Sequence, residues 1–233
     1  YFRERSFPGD KGRLRGALAV DDVEYESGAE EWHTDFALRF EKTIDDIDLG
    51  LSYFYGTSRD PYFKTQLDKG EVELVAVYDI VHQAGLDIQY TNDAWLWKYE
   101  MIVNAGQLQT YAALAGGCEY TFYDIEGSGL DVGLLLEYLY DSRPDEDASP
   151  FQNDIFCGSR LTLNDIQSTE FLAGVVLDIE GNGLSFSLEA SRRLGDSFKI
   201  AVEARSFHDI NDDDSLAAFK NDNFIQLSVT KYF

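Results

Sequence analysis

Charged side chains recur at every second residue along several long segments of this sequence. Lys98 and Glu100, for example, alternate with Trp97, Tyr99 and Met101. Successive side chains of a β-strand point to opposite faces, so such charges share one face. Charges of both signs are costly without water, which predicts that they line a wet lumen or form a paired ionic network across it. The predicted lumen-lining residues are Arg39, Glu41, Lys98, Glu100, Glu119, Glu137, Arg160, Glu170, Glu189, Arg193, Lys199, Glu203 and Arg205.

Three histidines are candidates for a general base. His33, His82 and His208 all fall at the same end of predicted strands, where a surface protease or lipase would place a base. No sequence motif couples any of them to a serine or an aspartate, as nucleophilic catalysis requires. We therefore predict no enzyme and no catalytic residue.

An acidic segment near the C-terminus partly matches a calcium-binding loop. Asp209, Asn211 and Asp213 alternate as calcium ligands do, but Asp214 stands where the loop needs glycine and Lys220 where it needs glutamate. These three residues are a weak metal candidate beside the alternative of a solvated acidic loop. No phosphate-binding glycine loop or zinc spacing is present, and no cofactor is predicted.

The composition narrows the class of protein. The 19 basic and 43 acidic residues give a formal charge of −24, which argues against a nucleic-acid partner. The chain is rich in aromatics, yet no apolar run approaches the roughly 20 residues that a membrane helix needs. The remaining way to cross lipid is a closed barrel, whose strands are apolar only at every second residue.

Period-two alternation predicts eleven long strands. A twelfth is predicted over residues 1–7. Both cysteines, Cys118 and Cys157, fall on apolar faces separated by another strand, so no disulfide is expected. The eleven strands cover residues 32–42, 46–56, 82–91, 94–105, 110–125, 129–141, 154–164, 166–179, 183–194, 197–207 and 223–233.

Connection lengths agree with an up-and-down barrel. The long connections 8–31, 57–81, 142–153 and 208–222 all fall at one end of the strands, and residues 71–81 are interpreted as part of an outer loop or as a strand extension. Bacterial barrels have long loops outside and short turns in the periplasm. The sequence thus predicts an all-β, transmembrane, antiparallel up-and-down barrel of about 12 strands. It would form one domain, 1–233, with both termini periplasmic.

A soluble β-sandwich is the alternative, because its strands also have one apolar face. Two features favour the membrane. The strands are about ten or more residues long, and aromatic residues such as Tyr53, Tyr55, Tyr138 and Tyr140 cluster at their ends, as in interfacial girdles.

The last strand and several longer stretches resemble known membrane proteins. The terminal Phe233 looks like the signal by which outer-membrane barrels are recognised for assembly, although Lys231 occupies a position that is usually apolar. Five stretches resemble a family of uncharacterised, porin-like outer-membrane proteins of Gram-negative bacteria. This resemblance implies an outer-membrane location, contact with the barrel-assembly machinery, and a larger even-numbered barrel if further strands precede residue 1. The stretches are 2–9, 93–98, 119–122, 163–170 and 188–196.

Two functions fit these predictions. One is an outer-membrane channel for passive or substrate-selective passage of small solutes. The other is a non-conducting barrel that anchors or encloses a partner such as a lipoprotein. Direct Arg-to-Glu contacts across the lumen would disfavour the pore. Outer-membrane lipid and lipopolysaccharide are expected partners of either.

Overall fold

The computed structural model describes residues 2–8, 12–13, 18–68, 70–143, 151–212 and 216–233. Their strands are β1 Val20–Tyr25, β2 Phe36–Ile44, β3 Ile47–Thr57, β4 Tyr62–Asp68, β5 Glu71–Tyr78, β6 Ile80–Asn92, β7 Trp95–Ala105, β8 Tyr111–Phe122, β9 Asp131–Asp141, β10 Asn153–Thr162, β11 Glu170–Asp178, β12 Leu184–Leu194, β13 Phe198–His208 and β14 Phe224–Lys231. These strands form two sheets: an eleven-stranded antiparallel sheet in the order β14-β13-β12-β11-β10-β9-β8-β7-β6-β3-β2, and a three-stranded sheet in the order β1-β5-β4.

The large sheet is a succession of neighbouring strands that alternate in direction. Tight turns connect β2 to β3 and β6 to β7, and each places an aspartate in the left-handed region: Asp45 at φ 51° and Asp93 at φ 50°. Aspartate tolerates this conformation, which two-residue hairpin turns require. The all-β class and the antiparallel up-and-down order predicted from the sequence are confirmed.

All eleven long strands predicted from period two are present, with ends displaced by at most four residues. The twelfth predicted strand is wrong, because residues 2–8 are not in a strand. Phe2 is instead buried against Ala76 and Tyr78 of the small sheet, at 5.0 Å between the Phe2 and Tyr78 ring centroids. Burial of this ring outweighs the weak alternation of the segment. Tyr1 lies outside the described residues.

The small sheet was not expected from the sequence. The prediction of an outer loop over residues 71–81 is wrong in part, because β5 pairs with β4 in antiparallel and with β1 in parallel orientation. The suggested extension of a long strand is confirmed only for residues 80–81, which begin β6, since β5 belongs to the other sheet. Its Val75, Ala76 and Tyr78 are almost completely buried, and Phe7 and Tyr25 pack nearby. A compact apolar core therefore sits beside one end of the large sheet.

The two ends of the large sheet differ. Segments 58–79, 106–110, 142–152, 179–183 and 209–223 connect strands at the long-loop end, whereas 45–46, 93–94, 123–130, 163–169 and 195–197 connect them at the short-turn end. Phe2 lies at the long-loop end, where its backbone N–H donates a 2.7 Å hydrogen bond to the carbonyl of Glu31. Phe233 follows β14 at the opposite end. The expectation that both termini lie at one end is therefore wrong.

The eleven strands form an open sheet. No pairing joins β2 to β14 within the described chain, so the closed barrel predicted from the sequence is not formed by these strands. Cys118 and Cys157 are free thiols that lie on either side of Leu136, so their predicted separation by another strand is confirmed. Three short 3-10 helices cover Glu30–Trp32, Ile125–Gly127 and Ala217–Phe219. No helix in the described ranges is long and apolar enough to span a bilayer.

Candidate functional site

One face of the large sheet carries most of its charges, and we call it the polar face. Lys42, Arg192 and Lys231, near the short-turn end, lie on the opposite face. The register links Glu41 through Gly50 to Asp87 and Glu100 on successive strands. Directly opposed residues share a face, and so do alternate residues of one strand. The same reasoning along every strand places all thirteen predicted lumen-lining residues on this face.

Arg39 bridges two carboxylates on the polar face. Its Nη2 lies 2.9 Å from Asp87 Oδ1, and its Nε contacts Glu41. The intervening strand contributes Gly50, where a Cβ would stand 2.1 Å from Asp87 Oδ2. Glycine leaves room here for the Asp87 carboxylate that reaches across β3, and any side chain would displace that carboxylate.

A second ion pair repeats this arrangement. Arg160 of β10 lies 3.2 Å from Glu119 of β8, and Gly133 of β9 lies between them. A Cβ on Gly133 would stand 2.5 Å from Glu119 Oε1. Both ion pairs lie along the surface of the sheet. In each, the arginine and the carboxylate belong to strands separated by one other strand, and the contact passes over a glycine of that intervening strand.

A third arginine separates two acids that face each other. Glu189 and Glu203 are directly opposed on β12 and β13, where like charges repel. Arg205 Nη2 lies 2.8 Å from Glu189 Oε1, and its Nε lies 3.3 Å from Glu203 Oε1. The arginine thus offsets the repulsion between the two carboxylates.

Other charges on this face have no such partner. Lys98, Gly117 and Glu137 are in register on β7, β8 and β9, yet no ion pair within 4.0 Å joins Lys98 or Glu137 to a described residue. The same holds for Glu100. These groups are left to interact with water or solutes.

Two grooves run over the polar face. The first has a volume of about 500 Å³ and is lined by side chains of β2, β3, β6 and β7, including Arg39, Asp87 and Lys98. The second, of about 350 Å³, is lined by β10 to β14 and includes Arg160 and Lys199. Both are wide enough for several water molecules.

The polar face also has apolar side chains that the period-two reading did not single out. The ring of Phe156 lies over Gly158 and Gly174, where an added Cβ would stand 2.6 Å and 2.2 Å from its edge. Because these two glycines have no side chains, the Phe156 ring can lie flat over the two neighbouring strands. The charged part of the face is thereby divided into separate patches.

The opposite face, which we call the apolar face, is covered by no second layer of described residues. Leu38, Leu134, Leu136 and Ile225 are all more than half exposed. Exposed apolar patches of this extent mark surfaces that contact lipid or another protein. The soluble sandwich considered above would bury these side chains against a second sheet.

Aromatic residues lie at both ends of the apolar face. At the short-turn end Trp95 stacks on Trp97 at 5.4 Å and contacts Tyr120 at 4.8 Å, between ring centroids. At the long-loop end the rings of Tyr55 and His82 are 4.7 Å apart. Mostly aliphatic residues occupy the middle of the strands between these two aromatic bands, although Phe40 of β2 and Tyr99 of β7 also lie there.

The loops at the long-loop end are tied together at Asp60. Its carboxylate lies 2.7 Å from Arg5 Nη1 and 3.4 Å from Arg143 Nη1, while its carbonyl accepts a 2.8 Å hydrogen bond from Gln107 Nε2. The partners belong to the N-terminal segment and to the loops that follow β9 and β7. We call this cluster the Asp60 node. No sequence signal predicted it.

Arg143 anchors the node in the sheet. It donates to Asp141 from Nη2 at 2.6 Å and from Nε at 3.1 Å, and the Asp141 side chain is only 2% exposed. Its guanidinium also lies 4.3 Å from the ring centroid of Tyr111. Burial lowers the pKa of Arg143, but the hydrogen bond and charge of Asp141 outweigh this, so the net pKa is raised.

The predicted positions of the histidines at the long-loop end are confirmed, but no catalytic constellation is assembled around them. His33 Nδ1 lies 2.9 Å from Ser27 Oγ, and His208 Nε2 lies 3.1 Å from Ser206 Oγ. In neither pair does a described residue hydrogen-bond the other ring nitrogen, which a triad requires. His82 contacts the hydroxyl of Tyr53 instead, at 2.7 Å.

The weak metal candidate gains no support from the described residues. Asp213 lies outside them, and no group of three or more His, Cys, Asp or Glu side chains in the described ranges is placed to hold a metal ion. Lys220, at the position of the expected glutamate, contacts Asp212.

Comparison with known proteins adds no relative: no protein-family model, no curated protein and no solved structure matches this chain. The resemblance to porin-like outer-membrane proteins stays a prediction.

Proposed function

We propose that this chain is a β-barrel of the bacterial outer membrane whose polar face lines a channel for small solutes. The observation that carries the proposal is the two-faced sheet. One face is mostly aliphatic, exposed and flanked by aromatic bands, and the other holds interspersed charges and two grooves wide enough for water. Lipid outside and water inside satisfy both faces at once.

The strand lengths suit a bilayer. Strands β3, β7, β9, β12 and β13 each contain 11 residues. At about 3.4 Å per residue and a tilt of about 45°, such a strand rises roughly 26 Å along the membrane normal. This agrees with the apolar band of about 25 Å on outer-membrane barrels.

Closure of the proposed barrel requires a strand between β14 and β2. Strand direction alternates through eleven strands, so β2 and β14 run the same way and cannot pair in antiparallel orientation. A wholly antiparallel barrel has an even number of strands. The proposal therefore includes at least one further strand, antiparallel to both edges.

Tryptophan fluorescence tests the membrane part of the proposal. Trp95 and Trp97 lie on the apolar face, whereas Trp32 lies in a 3-10 helix outside the large sheet. In vesicles, the Trp32→Phe variant retains Trp95 and Trp97, and brominated acyl chains should quench their emission strongly. The matched Trp95→Phe/Trp97→Phe variant should retain only weakly quenched emission. Equal, weak quenching of both would refute insertion of the apolar face.

Conductance tests the channel part. The full chain, refolded and inserted in a planar bilayer, should give stable conductance steps. Small sugars or acidic solutes that enter the grooves should block them. If the protein is inserted by the fluorescence criterion but gives no conductance, the proposed channel function is refuted.

The Asp60 node favours a second function, a non-conducting barrel that encloses or anchors a partner protein. Four chain segments meet at the node, and Arg13 reaches from the N-terminal region to Phe224 on β14, 4.2 Å from its ring centroid. These contacts lie where they would close the long-loop end. If the Asp60→Asn variant and the wild type both insert by the fluorescence criterion but give no conductance, this second function replaces the first.

A further inference from the structure

Carboxylates outnumber basic groups in both grooves of the polar face. Each groove is lined by three acidic and two basic residues, although the grooves are formed by different strands. The first has Asp48, Asp87 and Glu100 with Arg39 and Lys98; the second has Glu170, Glu189 and Glu203 with Arg160 and Lys199.

The arginines do not remove this excess, because the carboxylates already saturate them. Arg39 and Arg205 each bridge two acids, and Arg160 holds one. A guanidinium carries one positive charge, so when it bridges two carboxylates one negative charge is left uncompensated. Glu100 and Glu137 lie on the same face with no ion pair to a described residue within 4.0 Å.

We infer that the polar face conducts cations in preference to anions; this inference rests on the proposed channel. Rings and rows of one charge in a narrow, low-dielectric passage concentrate the opposite ion. Monovalent cations therefore enrich beside Glu100 and Glu137. Among the groove-lining groups without an ion pair to a described residue, the acidic Asp48, Glu100 and Glu170 outnumber the basic Lys98 and Lys199. The order of magnitude of such local enrichment is about 10.

The reversal potential in a KCl gradient tests this directly. For the full chain in a planar bilayer we expect a permeability ratio of K⁺ to Cl⁻ of about 10. Glu100→Gln/Glu137→Gln should lower the ratio severalfold, because two unpaired carboxylates are lost. Lys98→Gln should raise it, because an unpaired cation is lost. None of these changes removes an ion pair to a described residue, so folding should be preserved.

Asp196→Asn is the matched control, since it removes one exposed charge from a tight turn outside the grooves. It should leave the permeability ratio unchanged. A wild-type ratio at or below 1, or a ratio unaffected by the double glutamine variant, would overturn the selectivity while leaving the channel intact. Absence of any conductance would overturn the channel itself.

Discussion

Replacing Arg143 with methionine should strongly destabilise the long-loop end. Arg143 is 14% exposed and makes short hydrogen bonds to the carboxylate of Asp141, which is 2% exposed. Removing one partner of such a pair leaves a charge in a poorly solvated place. That loss typically costs about 3–5 kcal/mol of unfolding free energy.

The contribution of this pair can be separated from that of its neighbours by a double-mutant cycle. Arg143 also contacts Tyr111 and Asp60, so Arg143→Met alone removes a cation–π contact worth about 0.5–2 kcal/mol as well. Combining it with Asp141→Asn isolates the ion pair. We expect a coupling energy of about 2 kcal/mol, within the range found for contacting residues.

The assay is urea unfolding of the refolded protein in detergent micelles, followed by tryptophan fluorescence. Each variant is compared with the wild type at one pH and one detergent concentration. If Arg143→Met costs less than about 1 kcal/mol, or the two substitutions are additive, the buried pair does not stabilise the long-loop end as we infer. Asp60→Asn serves as the control for the more exposed side of the node.

Three further outcomes are expected. Hydrogen bonds from its own turn hold the pKa of Asp165 below 3.8. The ionised carboxylate therefore stabilises the fold above that pH, and this stabilisation is lost as pH falls through the lower folded-state pKa. Between pH 5 and pH 3, the urea midpoint of Asp165→Asn should fall by less than that of the wild type. Gly133→Ala should cost about 1 kcal/mol in urea unfolding by displacing Glu119, whereas Gly28→Ala, where a Cβ meets nothing within 4 Å, should be nearly neutral. The two thiols of the apolar face should react with a polar maleimide much more slowly in vesicles than in urea.

The large sheet could be predicted because its signal is local and repeated. Each strand alternates over about ten residues, and short polar turns set the direction of the next strand. The thirteen charged residues were placed on one face for the same reason. Their partners were not predictable, because whether Arg160 reaches Glu119 depends on the register and on Gly133 between them.

The small sheet and the Asp60 node escaped sequence reasoning for a different reason. Strands β1 and β4 are short, and β1 pairs in parallel with a strand far along the chain. The node joins residues 55 and 83 positions apart. Such long-range contacts leave no periodic trace. Phe2 shows the opposite error, since a local alternation was outweighed by burial against Tyr78.

The ion pairs that reach over a glycine also act as markers of correct strand alignment during folding. A strand that slips by two residues keeps its apolar side chains on the same face of the sheet, so alternation alone cannot reject it. Such a slip in β9 would put Asp131 or Leu135 in the place of Gly133. Glu119 would then be blocked from Arg160. The glycine thus distinguishes the native alignment from misfolded alignments that hydrophobicity would accept.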